Sequence, residues 1–167
     1  MAQTKFLVTG ATGATGGDTI RQLLEKRHAV RALAHRPDER SEQLKKVGAE
    51  VVFGDFLDFD SVRAALSGVN RAYFCYPISP GLVQATAQFA QAAKEAGVEV
   101  IVNMSQISAR GDSKSEAARQ HWLSERVFAS LRDTIRTPRA FVRFSIRSTE
   151  GKPSSASTPG RRQRKVR

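Results

Sequence analysis

Residues 5–17, with the sequence KFLVTGATGATGG, decide the fold of this chain. The apolar run Phe-Leu-Val is typical of a buried strand, and glycines at positions 10, 13 and 16 follow it. From Ile20 onward, apolar residues recur at helical spacing. A helix N-terminus carries partial positive charge and free N–H groups, so a strand, a glycine turn and a helix in this order favour binding of a dinucleotide pyrophosphate. We therefore predict a dinucleotide-binding site at this turn.

Each glycine of the turn has its own predicted role. Gly10 permits the tight turn, Gly13 lets backbone N–H groups approach the phosphates, and Gly16 lets the helix pack close to the strand. The residues beside these glycines complete the predicted phosphate site. They are Thr12, Ala14 and Thr15.

Length and composition favour one globular domain. The chain has 167 residues, of which 40% are hydrophobic and 26% are charged. Its N-terminus does not resemble a signal peptide, and no apolar run approaches the ~20 residues of a membrane-spanning helix. We therefore expect no membrane association and a cytoplasmic location. The single cysteine, Cys75, excludes an internal disulfide and a cysteine-based metal site, and we interpret it as a small core residue. No metal site is predicted.

The positive charge is concentrated at one end of the chain. Residues 1–131 hold 16 Lys and Arg against 14 Asp and Glu, a net charge of +2. Residues 132–167 hold 11 against 2, a net charge of +9. The body therefore has no strongly basic face, and we expect no specific binding of nucleic acid. The tail should bind polyanions weakly, in a way that fades with salt.

Strand-like and helix-like segments alternate through residues 1–131, which we take as the cofactor-binding domain. The predicted strands are 4–9, 29–34, 50–53, 71–76 and 98–104. The predicted helices are 15–27, 39–48, 59–67, 82–96 and 114–131, with Asp60 or Ser61 capping the third. This alternation predicts an α/β fold with a doubly wound parallel sheet, in the strand order 3-2-1-4-5.

The pattern breaks after position 131. Only 8 of the residues 132–167 are hydrophobic, which predicts a poorly structured, basic tail. The segment 140–146 is either a sixth strand or a short apolar patch. Two origins of the tail stay open, a native ending and a truncated or out-of-frame remnant.

The end of the second strand bears on the choice of cofactor. An acidic residue about 20 positions after the last glycine would bind the ribose 2′-OH of NAD(H). Here Arg36 lies at that distance from Gly16, and a guanidinium can pair with a 2′-phosphate. The sequence therefore favours NADP(H) and makes NAD(H) the less favoured cofactor, although an exposed loop arginine is the alternative. Asp38 is positioned to cap the next helix.

Further candidates follow the third, fourth and fifth strands. Asp55 is positioned to accept a hydrogen bond from the adenine amino group, or else serves as a loop or capping carboxylate. Tyr76 and Pro77 follow the fourth strand, and Ser105 follows the fifth. These three residues are expected to border the nicotinamide half of the site, and Ser105 is also a candidate catalytic residue.

Together these motifs resemble the NmrA-like family of atypical short-chain dehydrogenases/reductases over residues 4–131. They are TGATGATG (9–16), VRALAHR (30–36), GD (54–55) and VIVNMS (100–105). The resemblance implies an NADP(H)-preferring Rossmann domain, with the three glycines on the phosphates, Arg36 after strand two and Asp55 at the adenine. The family includes NADPH-dependent quinone and related reductases, and also regulators that bind the cofactor without turning it over.

Two departures from the family leave the function open. The Tyr-x-x-x-Lys pair of typical members is replaced by His121-Trp-Leu-Ser-Glu125, so His121 is either a general acid oriented by Glu125 or half of a structural pair. The chain also stops resembling the family near position 131. We therefore consider a reductase of quinone-like or carbonyl substrates, a cofactor-sensing regulator, and a truncated product that binds cofactor only.

Overall fold

Strands and helices alternate along the whole described part of the chain. The computed structural model describes residues 3–77, 79–131 and 134–135, and the backbone of 142–144. The strands are β1 (Lys5–Val8), β2 (Ala29–Ala34), β3 (Glu50–Phe53), β4 (Arg71–Phe74), β5 (Val100–Gln106) and β6 (Val142–Phe144). The helices are α1 (Ala14–Glu25), α2 (Glu39–Lys46), α3 (Phe59–Leu66), α4 (Leu82–Glu95) and α5 (Glu116–Ala129). Every element predicted for residues 1–131 is present, with its ends displaced by a few residues.

The strands form one parallel sheet in the order β3-β2-β1-β4-β5-β6. This arrangement confirms the predicted doubly wound fold and the order 3-2-1-4-5. Strand β6 extends that order and pairs with β5, with Arg143 opposite Ser105, so a sixth strand is the alternative that the structure supports. Within the predicted tail, Ile135 is 1% exposed and belongs to the hydrophobic core, so the prediction of a poorly structured tail was wrong at that position. The rest of that prediction concerns residues outside the described part. Because β1 and β4 are neighbours, the order of strands reverses between them, and ligands of such sheets bind where the carboxyl ends of these strands meet.

The sheet is covered on both faces. Leu7 packs with the side chains of α3, α4 and α5, whereas the next residue, Val8, packs with those of α1 and α2. A strand buried on both faces has a continuous apolar sequence, which explains the run at positions 6–8. On the first face, Phe74 of β4 meets Phe89 of α4 and Phe128 of α5, with ring centroids 4.8 and 5.2 Å away.

Of the two helix caps predicted from the sequence, one is confirmed and one is wrong. Asp38 caps α2 and forms a capping box with Ser41, as predicted. The prediction for α3 was wrong, because its cap is Asp58, whose side chain accepts a hydrogen bond from the N–H of Asp60. Ser61 instead binds the backbone of Asp55. Among the helices of the described residues, none is long and apolar enough to cross a membrane.

Candidate functional site

At its three glycines, the turn between β1 and α1 leaves little or no room for a side chain. Gly10 has φ +59°, and a Cβ atom there would lie 3.0 Å from the carbonyl oxygen of Cys75. A Cβ atom on Gly13 would lie 3.2 Å from the Gly10 oxygen, and one on Gly16 would overlap that oxygen. The positive φ of Gly10 fits the predicted tight turn, and the contact at Gly16 fits the predicted close packing of α1. Gly13 is exposed, and its role beside the phosphates stays a prediction.

The N-terminus of α1 is free to receive an anion. Gly13 is its N-cap, and no side chain caps the helix or supplies an acidic group to its first turn. By contrast, α2, α3 and α5 are capped by the side chains of Asp38, Asp58 and Ser115, whereas α4, with Gly81 as its N-cap, also lacks a side-chain cap. The first-turn N–H groups at positions 14–16 need a partner, and the helix dipole favours a negative one. This end of α1 is therefore suited to bind a phosphate group.

The uncapped helix opens into a cleft of about 510 Å³ at the carboxyl ends of β1 to β4. Seven of the ten predicted cofactor residues line this cleft: Gly10, Thr12, Gly13, Thr15, Asp55, Tyr76 and Pro77. Ala14 and Gly16 lie in the first turn of α1. The cleft thus gathers residues from four segments that are distant in sequence, and Arg36 is the predicted residue that stands apart.

The first turn of α2, which follows β2, presents Arg40 to the cleft. His35 and Arg40 line it, whereas Arg36 is exposed outside the lining. Arg40 donates from Nε and Nη2 to Asp38 Oδ2, at 3.1 and 2.8 Å. The backbone N–H of Ser41 and the Arg40 guanidinium together lower the pKa of Asp38. The acidic residue nearest the predicted ribose position is therefore committed to a cap and an ion pair, and sequence reasoning missed Arg40.

Asp55 is held in place at the end of β3. Its N–H donates to Ser61 Oγ at 2.9 Å, and its Oδ1 accepts from the N–H of Leu57 at 2.8 Å. A Cβ atom on Gly54 would overlap Ser61 Oγ, so the glycine before Asp55 permits this close approach. The carboxylate can accept a further hydrogen bond through its free lone pairs, as an adenine contact requires.

A buried hydroxyl ties the end of β1 to the end of β4. Thr9 is fully buried, and its Oγ1 accepts from the N–H of Cys75 at 2.8 Å. The same hydroxyl lies 3.1 Å from the Cys75 carbonyl oxygen, to which it donates. The interpretation of Cys75 as a core residue was wrong: its side chain is half-buried in the wall of the cleft, where desolvation raises the pKa of its thiol. β4 ends beside the glycine turn, so the apolar segment 72–76 leads from the core into the wall of the cleft.

The two predicted catalytic residues lie apart. Ser105 is buried, and its Oγ donates to Oε1 of Glu125 at 2.7 Å, with Glu125 only 1% exposed. His121 instead lines a second cavity, of about 290 Å³, which shares Pro77 and Ser79 with the cofactor cleft. Glu125 thus accepts a hydrogen bond from Ser105, and its charge only modestly opposes the effect of burial, which lowers the pKa of His121. Because its pKa is lowered, His121 carries its second proton less readily at neutral pH, which argues against a role as general acid.

The described residues fit a dinucleotide and do not suggest a metal. Within residues 3–77 and 79–131, no three His, Cys, Asp or Glu side chains come together as a metal site would require. The uncapped helix, the exposed backbone at Gly13 and the elongated cleft suit the phosphates and adenosine of a dinucleotide. Fold and site together define a Rossmann-type dinucleotide-binding domain.

Comparison with known proteins agrees with this class. Residues 10–143 match the model of a family described as NAD(P)H-binding. The match covers most of the chain, which therefore belongs to that NAD(P)H-binding family. The chain is also 48% identical over 69 residues to an NmrA-like family domain-containing oxidoreductase from Aspergillus sp., covering 40% of this chain and 20% of that protein. The family resemblance inferred from the motifs is confirmed, but the prediction that it ends near position 131 was wrong, because the family match extends to residue 143.

Reductases occur among the relatives. The NAD(P)H azoreductase of Xenophilus azovorans is 34% identical over 120 residues, which are 72% of this chain and 41% of the azoreductase. The NADPH-dependent quinone oxidoreductase of Escherichia coli, solved with NADPH, superposes with a TM-score of 0.67 at 26% identity, covering 79% of this chain and 46% of that one. This chain therefore spans less than half the length of these relatives.

Proposed function

We propose that this chain binds NADP(H) in the cleft at the carboxyl ends of β1 to β4, and prefers it to NAD(H). The observation that carries the proposal is the uncapped N-terminus of α1, which opens into a cleft of about 510 Å³ beside the close-packed glycine turn. In this arrangement the pyrophosphate lies against the N–H groups of the first turn of α1, and Asp55 accepts a hydrogen bond from the adenine amino group.

We base the preference for NADP(H) on the positive charges that follow β2, at Arg36 and Arg40. Asp38 already accepts hydrogen bonds from Ser41 and Arg40, so its carboxylate is not free to bind a ribose 2′-OH. The Arg40 guanidinium has five N–H donors, and its pair with Asp38 uses only two of its nitrogens. We assign the 2′-phosphate to Arg40 in the cleft, with Arg36 as the second cation.

The reaction class is inferred from the relatives. One is an NAD(P)H azoreductase and another an NADPH-dependent quinone oxidoreductase. We propose for the whole protein the reduction of a quinone-like or carbonyl compound, for which NADPH supplies the hydride. Tyr76 and Pro77 would border the nicotinamide, and a cytoplasmic location remains our prediction.

A second candidate is a regulator that binds NADP(H) without consuming it. Two observations favour it: α5 lacks the Tyr/Lys pair of typical reductases, and the Ser105 hydroxyl is buried against Glu125. We expect weak turnover by this chain. Steady oxidation of NADPH with a panel of quinones, followed by the absorbance of the reduced nicotinamide, would instead establish a reductase.

The cofactor proposal is tested by calorimetric titration of NADPH and NADH into the wild-type chain and three arginine variants. Removal of a charge-assisted contact costs about 1.5–3 kcal/mol, so Arg40→Ala should weaken NADPH binding by roughly 10- to 150-fold and leave NADH binding unchanged. Arg36→Ala should have a smaller effect in the same direction.

Arg63→Ala is the control for loss of one positive charge, because Arg63 is exposed on α3 and pairs with Asp60 away from the cleft lining. Equal affinity of the wild-type chain for the two cofactors, unchanged in Arg36→Ala and Arg40→Ala, would contradict the proposed preference. Failure of both cofactors to bind would contradict the function itself.

A further inference from the structure

The loop between β3 and α3 is fixed at Asp55 through both its side chain and its backbone. The side-chain contact is local, because Oδ1 accepts a hydrogen bond from the N–H of Leu57 at 2.8 Å. The backbone contact comes from the first turn of α3, where Ser61 Oγ accepts from the Asp55 N–H at 2.9 Å and donates to the Asp55 carbonyl oxygen at 3.3 Å. One hydroxyl group therefore holds both backbone polar groups of Asp55.

The Ser61 hydroxyl reaches this loop because residue 54 is a glycine. A Cβ atom on Gly54 would overlap Ser61 Oγ, and the next nearest atom, Leu33 Cδ1, would lie 3.2 Å away. Both atoms are the ends of side chains that can rotate, whereas no backbone atom lies among the three nearest. An alanine at position 54 would therefore displace the Ser61 hydroxyl and leave the backbone in place.

On its other side, the same loop lines the cofactor cleft. Asp55 and Phe56 belong to the lining, together with Leu33 at the end of β2. The Phe56 ring is held edge-on by Phe74 and Tyr76, with ring centroids 5.8 and 5.4 Å away. This part of the cleft thus places a carboxylate beside apolar side chains, which suits a flat heterocycle with a hydrogen-bond donor at its edge.

Building on the proposed function, we propose that Ser61 is a positioning residue that sets the base selectivity of the site. It acts from outside the cleft lining, by fixing the backbone that carries the Asp55 carboxylate. A carboxylate only accepts hydrogen bonds, so it binds the amino group at C6 of adenine and repels the carbonyl oxygen that hypoxanthine has at the same position. Dinucleotides of adenine are therefore bound more tightly than those of hypoxanthine.

The selectivity is measured by calorimetric titration of NADPH and of its hypoxanthine analogue, reduced nicotinamide hypoxanthine dinucleotide phosphate. The wild-type chain should bind NADPH at least about tenfold more tightly, because the analogue loses a hydrogen bond to a charged group. Asp55→Asn should lose this preference, since an amide can donate to the carbonyl oxygen of the analogue.

Ser61→Ala tests the positioning role. It should weaken NADPH binding about two- to tenfold, as expected for loss of one neutral hydrogen bond, and leave binding of the analogue unchanged. General damage to the cleft would instead weaken both dinucleotides equally. Ser67→Ala is the matched control, because Ser67 is exposed at the other end of α3 and lies outside the cleft lining. Urea denaturation of each variant confirms that it is folded.

Gly54→Ala tests the same hydroxyl group without removing it. Because the new Cβ displaces Ser61 Oγ, this variant should lose preference for NADPH to the same extent as Ser61→Ala. The double variant should then behave like Ser61→Ala alone, since both substitutions remove one contact. Additive losses would contradict a shared action through the hydroxyl.

Equal binding of the two dinucleotides by the wild-type chain overturns the inference, as does a preference that Ser61→Ala leaves intact. The proposed function is judged separately, by whether NADPH binds the wild-type chain at all. NADPH binding with an unchanged preference in Ser61→Ala refutes the role of Ser61 alone.

Discussion

The β1–α1 region and the β5–α5 region differ in what builds them. In the β1–α1 region the backbone dominates, because Gly10, Gly13 and Gly16 keep the turn close-packed and the first turn of α1 has no side-chain cap. In the β5–α5 region a side-chain contact joins the two elements: Ser105 meets the buried Glu125 across 20 residues of sequence, and neither residue lines the cofactor cleft. A site made of backbone at fixed spacing can be predicted from a short motif. A site made of side chains from separate elements depends on how those elements pack.

The largest effect, on both stability and NADPH binding, should come from adding one methyl group in the β1–α1 region. In Gly16→Ala the new Cβ would overlap the Gly10 carbonyl oxygen, so either the turn or α1 must shift. We expect a loss of about 1–3 kcal/mol in the free energy of unfolding, typical of overpacking, and loss of NADPH binding. Urea denaturation and NADPH titration measure the two effects.

Gly17→Ala is the matched control for that substitution. A Cβ atom on Gly17 would lie 3.7 Å from the Ala11 oxygen, an ordinary contact, and alanine is the better helix former by roughly 0.5–1 kcal/mol. This variant should be at least as stable as the wild type and bind NADPH normally. Similar behaviour of the two variants would contradict the account of close packing at Gly16.

A smaller effect, on stability alone, is expected from a substitution in the β5–α5 region. Ser105→Ala removes a hydrogen bond donated to the buried Glu125 carboxyl group, and a typical intramolecular hydrogen bond contributes about 0.5–1.5 kcal/mol. NADPH affinity should not change. Ser130→Ala, at an exposed position that caps α5, is the control and should change stability by less than about 0.5 kcal/mol. If Ser105→Ala abolished cofactor binding without a loss of stability, Ser105 would belong to the site itself.

The smallest effect concerns pH. Desolvation lowers the pKa of His121 in the folded chain below its ordinary value of 6.5, and the Glu125 charge opposes this only in part. The unfolded chain then binds the proton more readily, so this group's contribution to stability is complete above 6.5 and is lost as the pH falls through the folded pKa. The melting temperature of the wild type should fall more steeply below pH 6.5 than that of His121→Gln. Parallel profiles would show that His121 is not desolvated.

The sequence predicted the sheet order, the elements of residues 1–131 to within about two residues, and seven residues that line the cleft, because periodicity and glycine spacing are local signals. Cofactor binding in that cleft stays a prediction. It did not predict that Arg40 faces the cleft in place of Arg36, since this depends on how Asp38 caps α2 and holds the guanidinium. A signal was present: an arginine two residues after a capping aspartate can fold back on it. Nothing in the sequence indicated the hydrogen bond from the Cys75 N–H to the Thr9 hydroxyl, or the separation of Ser105 from His121.

The central claim is that a dinucleotide binds where the uncapped α1 meets the ends of β1 to β4. Backbone amide NMR of the labelled chain during NADPH titration tests it most directly. The account predicts saturable shifts at residues 10–16, at Arg40 and Asp55, and at 75–77. A further cavity lies at the amino ends of β4 and β5 and is lined by Arg71, Glu99, Val100 and Thr134. Shifts confined to that cavity would contradict the claim.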